Sequence, residues 1–162
     1  MFRAYAFLLL PLLLTACGLQ PLYSGGTQGA VAQNLGQVTI APIEGDAGWL
    51  VRNQLTDQLA PVEGDVARYQ LVVRLDDQIE GFGLLANDQI TRQRRTLRAR
   101  YQLIEIATGK TVIDATAGSD AGIDVVSSEY ATIAAENTAL ENLSREVASQ
   151  IVTRLSLFAR DQ

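Results

Sequence analysis

A chain of 162 residues with 48% apolar content can bury one substantial core and is short for two. It has no histidine and a single cysteine, which excludes an internal disulfide, a Cys/His zinc site and the histidine-dependent forms of nucleophilic catalysis. A net charge of −5 argues against bulk electrostatic binding to nucleic acid or to anionic lipid headgroups, so attachment to a membrane needs another device.

The N-terminus supplies one. Met1-Phe2-Arg3 is a short positive start, Ala4 to Leu14 is apolar, and the small residues Thr15 and Ala16 precede Cys17. The apolar run is too short to span a bilayer comfortably and has the architecture of a signal peptide. Leu14-Thr15-Ala16-Cys17 resembles the lipobox of bacterial lipoproteins. In that class the cysteine thiol receives a diacylglyceryl group, the chain is cut just before it, and the new amine is acylated. The resemblance implies a signal peptide over residues 1–16 and a lipidated Cys17, with no cofactor beyond that covalent lipid. A plain signal peptide is the blander reading. Two or more acyl chains anchor stably where one is marginal. Gly18 stands where many such lipoproteins carry a retention aspartate, which favours the outer membrane, periplasmic side.

Residues 17–36 form the tether of this expected organisation, rich in glycine, serine and glutamine from Ser24 onward. Residues 37–162 form a single domain. Gln37 to Ile43 alternates as a short first strand, with Pro42 near its end. Gly45 to Gly48 reads as a turn, and Val51, Leu55 and Leu59 have helical spacing within Trp49–Ala60, which Pro61 ends. Ala67 to Ile79 alternates strictly, with Tyr69, Leu71, Val73, Leu75 and Ile79 on one face. A hairpin tip is expected over Gly81–Asp88, and the return strand runs from about Gln89 to Ile106 with Leu97, Ala99, Tyr101 and Leu103 inward. Thr108-Gly109 turns the chain into a strand over Thr111–Ala117. Ser127-Ser128 offers an N-cap to a long helix whose stripe runs Tyr130, Ile133, Leu140, Leu143, Val147, Ile151, Leu155 and Phe158, broken at Asn137. The expectation is an α+β fold of order β-α-β-β-β-α. It is a two-layer sandwich in which two helices cover one face of a four-stranded, mainly antiparallel sheet.

The mature start Cys17-Gly18-Leu19-Gln20-Pro21-Leu22-Tyr23 is similar to that of the LPS-assembly lipoprotein family (LptE), although Leu19 stands where an aromatic is commoner. The size of the mature chain and the order of its elements agree. The resemblance implies a non-enzymatic protein that lodges inside a large outer-membrane β-barrel partner, helps it assemble, and assists lipopolysaccharide delivery to the cell surface.

The most unusual local chemistry is Arg92, Arg94, Arg95, Arg98 and Arg100, five arginines within nine residues. On a strand, Arg92, Arg94, Arg98 and Arg100 share the face opposite Leu97, Ala99 and Tyr101. Guanidinium forks suit phosphates, so these residues are candidate contacts for lipopolysaccharide. A salt-bridge ladder is the equal alternative, with Asp76 about opposite Arg94 and Asp77, Glu80 and Asp88 nearby. Phe82, Leu84 and Leu85 at the expected tip are candidate partner contacts, or fold back onto the core. Asp76 and Asp77 are neighbours on a strand and face opposite sides, so no catalytic pair is expected, nor a metal site. Ala107 to Thr111 lacks the first glycine and the following helix of a phosphate loop and reads as a hairpin turn. An envelope scaffold, or an activator of a cell-wall enzyme, is the alternative function. A carboxylate hydrolase is a further rival.

Overall fold

The computed structural model describes residues 35–59, 66–84 and 90–161, with the side chains of Leu84 and Ile90 excepted. The elements are β1 (Val38–Ile40), α1 (Gly45–Leu59), β2 (Tyr69–Leu84), β3 (Ile90–Glu105), β4 (Thr111–Asp124) and α2 (Glu129–Arg160). They make one sheet in the order β1-β2-β3-β4. The β1–β2 pair is parallel, and β2–β3 and β3–β4 are antiparallel. This is the expected α+β order. Both helices pack on one face and against each other, α1 toward β1 and β2, α2 across β3 and β4.

The core lies where the alternation of β2 and β3 meets the helical stripes. Leu71, Leu97 and Leu103 from the sheet close against Val51 and Leu55 of α1 and Val147, Ile151 and Leu155 of α2, all almost fully buried. Leu35, near the end of the segment read as tether, is also buried in this core. Tyr69 meets Phe158 edge-on, with ring centroids 5.9 Å apart. Full burial of a side chain of this size contributes about 1.5–3 kcal/mol, so the fold rests on these two layers.

Burial pushes the Tyr101 phenol above its ordinary value of 10.0, against the opposing charge of Arg154. A raised value in the folded state means stability that is complete below the unfolded-state value and falls as pH rises toward the folded one. Alkaline titration followed by ultraviolet absorbance is expected to show a late-titrating phenol that is lost in Tyr101→Phe. Coincident titration of wild type and variant would remove the effect.

The structure differs from the sequence expectations in four places. First, Gly45 to Gly48 is the first turn of α1 rather than a separate turn. A Cβ at Gly48 would stand 2.6 Å from the Ile43 carbonyl oxygen, so the glycine is there for close approach. Asp46 in that turn favours the helix through its dipole. Second, β2 continues to Leu84 and β3 starts at Ile90, so the strands reach further than expected, and residues 85–89 between them lie outside the described residues. Asp76 therefore faces Arg98, and Glu80 faces Arg94, a slip of four positions from the expected pairing. An even slip leaves every side chain on its face.

Third, β4 runs to Asp124 instead of stopping at Ala117, with Gly118 and Gly122 inside the strand. Fourth, Tyr130 and Ile133 do not join the core, being 84% and 48% exposed. Over the first three turns of α2 only Thr132 is buried, and the continuous buried stripe starts at Ala139. The helix is 32 residues, about 48 Å, against 15 residues for α1. Ser128 caps it as expected, its side chain accepting from the Ala131 amide at 3.4 Å.

Candidate functional site

The face of the sheet away from the helices carries charge. Alternation on β3 sends Arg92, Arg94, Arg98 and Arg100 to this solvent side, where all four are exposed. Arg74 of β2 stands opposite Arg100 and joins them. The sequence reading missed it. The signal was available in the alternation around Arg74, but its position beside the arginine row depends on the register of the hairpin.

The acidic partners come chiefly from β4 and not from β2. Arg92 Nε donates to Asp124 Oδ1 at 3.0 Å, and Arg94 lies 4.0 Å from Asp120. Arg100 is forked onto Asp114 at 3.2 and 3.1 Å, and Gln102 donates to the same carboxylate at 2.9 Å. Those bonds hold the Asp114 carboxyl below its ordinary value and raise the Arg100 guanidinium, the Arg100–Asp114 hydrogen bond being the largest cause in both. Exposed pairs of this kind are weak because water and salt screen them, so a phosphate can compete for the same guanidiniums.

Arg98 is different. Its Nη1 donates to the Ser119 carbonyl at 3.2 Å. Among the described residues neither it nor Arg74 has a carboxylate within 4.0 Å. A Cβ at Gly118 would lie 2.6 Å from Arg98 Cδ and 2.8 Å from its Nη1. The glycine is what lets this side chain lie flat across β4. The sequence reading offered ladder or ligand surface as alternatives. The structure shows a weak ladder on Arg92, Arg94 and Arg100 beside two arginines, Arg74 and Arg98, that have no carboxylate within 4.0 Å among the described residues.

Arg95 is placed apart from the rest. It points to the helix side and is 9% exposed. Nε and Nη2 take the two oxygens of Asp77 at 2.9 and 2.6 Å, and Nη1 donates to the Glu136 carbonyl of α2 at 2.9 Å. The Asp77 hydrogen bond raises the Arg95 guanidinium despite the opposing effect of burial. With three of its five N–H donors engaged and its side chain on the helix side, Arg95 fastens α2 to the sheet and does not belong to the solvent-facing row. Asp77, in turn, is committed to Arg95, and Asp76 points to the other side and accepts from Gln78 at 3.1 and 3.2 Å. The two carboxylates do not converge. Among the described residues no group of His, Cys, Asp and Glu is arranged to hold a metal ion.

Phe82 lies within β2 and opposite Arg92, not in a turn. It is 41% exposed and shares the arginine face, with the Arg94 guanidinium 5.4 Å from its ring centroid. Leu84 ends the strand, and its side chain is not described. Leu85 and Cys17 lie outside the described residues.

The fold recurs in solved lipoprotein structures. A Caulobacter crescentus protein described as a lipoprotein matches with a TM-score of 0.68 and 23% identity, covering 83% of this chain and 100% of that one. Rare lipoprotein B of Shewanella oneidensis matches at 0.59 and 11% identity, covering 76% and 96%. A minor lipoprotein of Acinetobacter baumannii matches at 0.56 and 14% identity, covering 75% and 92%. At these identities the likeness is one of fold. No curated protein sequence matches significantly. The lipopolysaccharide-assembly family LptE matches residues 35–155, which run from the first core residue to the last turns of α2. With that match extending over most of its length, the chain belongs to the lipopolysaccharide-assembly family, LptE.

Proposed function

We propose that this member of the lipopolysaccharide-assembly family is an outer-membrane lipoprotein, held on the periplasmic side by di- and N-acylated Cys17. Residues 1–16 serve as its signal peptide and the stretch from Cys17 up to the buried Leu35 as its tether. It sits within a large β-barrel translocon, assists the assembly of that barrel, and helps pass lipopolysaccharide to the cell surface. The protein acts by binding and performs no catalysis.

The observation that carries this reading beyond the family is the arginine row on the open side of the sheet. Arg92, Arg94, Arg98 and Arg100, with Arg74 beside them, present guanidiniums to solvent at strand spacing. Lipid A and the inner core of lipopolysaccharide bear phosphates and carboxylates, which planar guanidinium forks match bidentately. Phe82 on the same face offers apolar contact beside the charge.

The test is depletion of the protein in its native cell, with surface lipopolysaccharide and detergent-resistant barrel complex measured together. Both are expected to fall, and Cys17→Ser is expected to fail to restore them. Normal surface lipopolysaccharide after depletion would overturn the proposal. Isolation of the lipidated chain is expected to bring down a large barrel protein in a stable complex. A cell-wall enzyme in its place would favour the scaffold or activator reading.

A further inference from the structure

The two edges of the sheet are treated differently. On β4, the amide and carbonyl of Gly118 are both taken by the side chain of Gln150 from α2, at 3.1 and 3.2 Å. Next to it, Ser119 Oγ donates to Glu146 at 2.8 Å. Helix side chains therefore close that edge near its middle. Among the described residues the opposite edge has no such cover. β1 pairs with β2 only from Tyr69 to Leu71, and the Ala41 amide bonding to the Leu71 carbonyl is the last contact of the ladder among the described residues.

In this ladder Tyr69 donates to Gln37 and Leu71 accepts from Ala41, so the odd-numbered residues of β2 turn their backbone groups toward the β1 side. Continued along the strand, Leu75, Asp77, Ile79 and Gly81 present N–H and C=O groups to an open edge. At Gly83 the pattern ends, with φ of 81° and its carbonyl accepting from Thr91 Oγ1. A paired, twisted sheet that leaves such a stretch open is a template for one more strand.

The surroundings of this edge select the strand. Asp76 and Glu80 lie on its outer face, exposed. On its helix side is a cleft of about 610 Å³ at the start of α1, whose walls include Trp49, Glu44, Asp46 and Glu141. Trp49 is 66% exposed there. Among the described residues no ion pair engages any of the five carboxylates other than Asp77. The cationic group on the cleft wall is Arg95, already consumed by Asp77. On the helix side an entering lysine or arginine meets carboxylates and an aromatic face suited to a cation; on the outer face it meets Asp76 and Glu80 at the strand edge, with Arg74 beside Asp76 and the β3 arginines one strand further in.

We propose that the edge of β2 from Leu75 to Gly81 docks an extended, lysine- or arginine-bearing strand of a partner protein, which adds to the sheet beside β2 with its basic side chains toward Asp76 and Glu80 and into the Trp49 cleft. A second copy of the chain does not fit. Pairing β2 with itself sets Asp76, Asp77 and Glu80 against their own copies, and the edge of β4 is closed by Gln150. The tether residues 17–34 carry no charge and do not answer the carboxylates.

The probes are a synthetic octapeptide of the repeat Lys-Lys-Val-Val, which puts lysines on both faces of a strand, and its glutamate counterpart, added to the full-length chain. The lysine peptide is expected to slow amide exchange at Leu75, Asp77, Ile79 and Gly81 and to shift the emission of Trp49, the one tryptophan of the chain, to the blue. Both effects are expected to weaken with salt. The exposed double variant Asp76→Lys/Glu80→Lys is expected to lose affinity by about tenfold or more while keeping the fold. Equal binding of the glutamate peptide, protection falling on β4, dimerisation through β2, or no protection at about 1 mM lysine peptide would each overturn the proposal. Neither readout involves lipopolysaccharide, so failure here leaves the arginine face untouched.

Discussion

Asp77→Ala is expected to destabilise the protein by about 2–3 kcal/mol, and to lower Tm by roughly 8–12 °C. Removing one member of a buried ion pair typically costs about 3–5 kcal/mol because the other charge stays buried and unpaired. The Asp77 side chain is 24% exposed and that of Arg95 is 11% exposed, so water relieves part of that penalty. Arg95 also reaches the Glu136 carbonyl, which makes it the polar fastening between the sheet and the poorly buried start of α2. The damage is expected to be local first. Amide exchange over residues 129–138 should accelerate more than over the last turns of α2, where Ile151 and Leu155 hold the helix to the core. The double change Asp77→Leu/Arg95→Met removes both charges and is expected to cost less than Asp77→Ala alone. Urea denaturation of the three variants measures this. A loss below about 0.5 kcal/mol for Asp77→Ala would show that the pair is not holding the helix.

The second large effect falls on binding. Arg74→Glu/Arg98→Glu is expected to weaken binding of purified lipopolysaccharide by about 10- to 100-fold, with stability changed by no more than about 0.5 kcal/mol. These are the two arginines of the row with no carboxylate within 4.0 Å among the described residues, so their reversal breaks no ion pair of the ladder. Hydrogen bonds to charged groups contribute about 1.5–3 kcal/mol each, reduced here by exposure. The effect should shrink as salt rises. Arg98→Lys, which keeps the charge and loses the fork, is expected to fall between wild type and the double variant. Gly118→Ala makes the same point without touching a charge, since its methyl group takes the place of the Arg98 side chain. Unchanged affinity in Arg74→Glu/Arg98→Glu, in a folded protein, would leave the row as a surface ladder only.

Much of this arrangement was legible before folding. The alternation from Tyr69 to Leu75 and from Leu97 to Leu103 stated which side chains face the core, because the period of a strand is two and one face is buried. The spacing of Leu140, Leu143, Val147, Ile151 and Leu155 did the same for α2, and Ser128 marked its start. What failed depended on partners distant in the chain. Gly45 and Gly48 looked like a turn because glycine weakens a helix in isolation, and only the contact of Gly48 with Ile43 explains its use there. Tyr130 and Ile133 fit the helical stripe, yet periodicity does not say how far along its length a helix finds something to cover.

The arginine cluster separates the two levels. Sequence by itself determined that Arg92, Arg94, Arg98 and Arg100 share a face and that Arg95 is on the other, since alternation needs no register. The tertiary structure decided what each of them meets. The register of β2 against β3 sets Asp76 opposite Arg98, β4 brings Asp114, Asp120 and Asp124 to the ladder, and α2 lays the Glu136 carbonyl over Arg95. Those contacts are non-local. They follow from where the strands pair and how the helix crosses them, and no local pattern of residues encodes that.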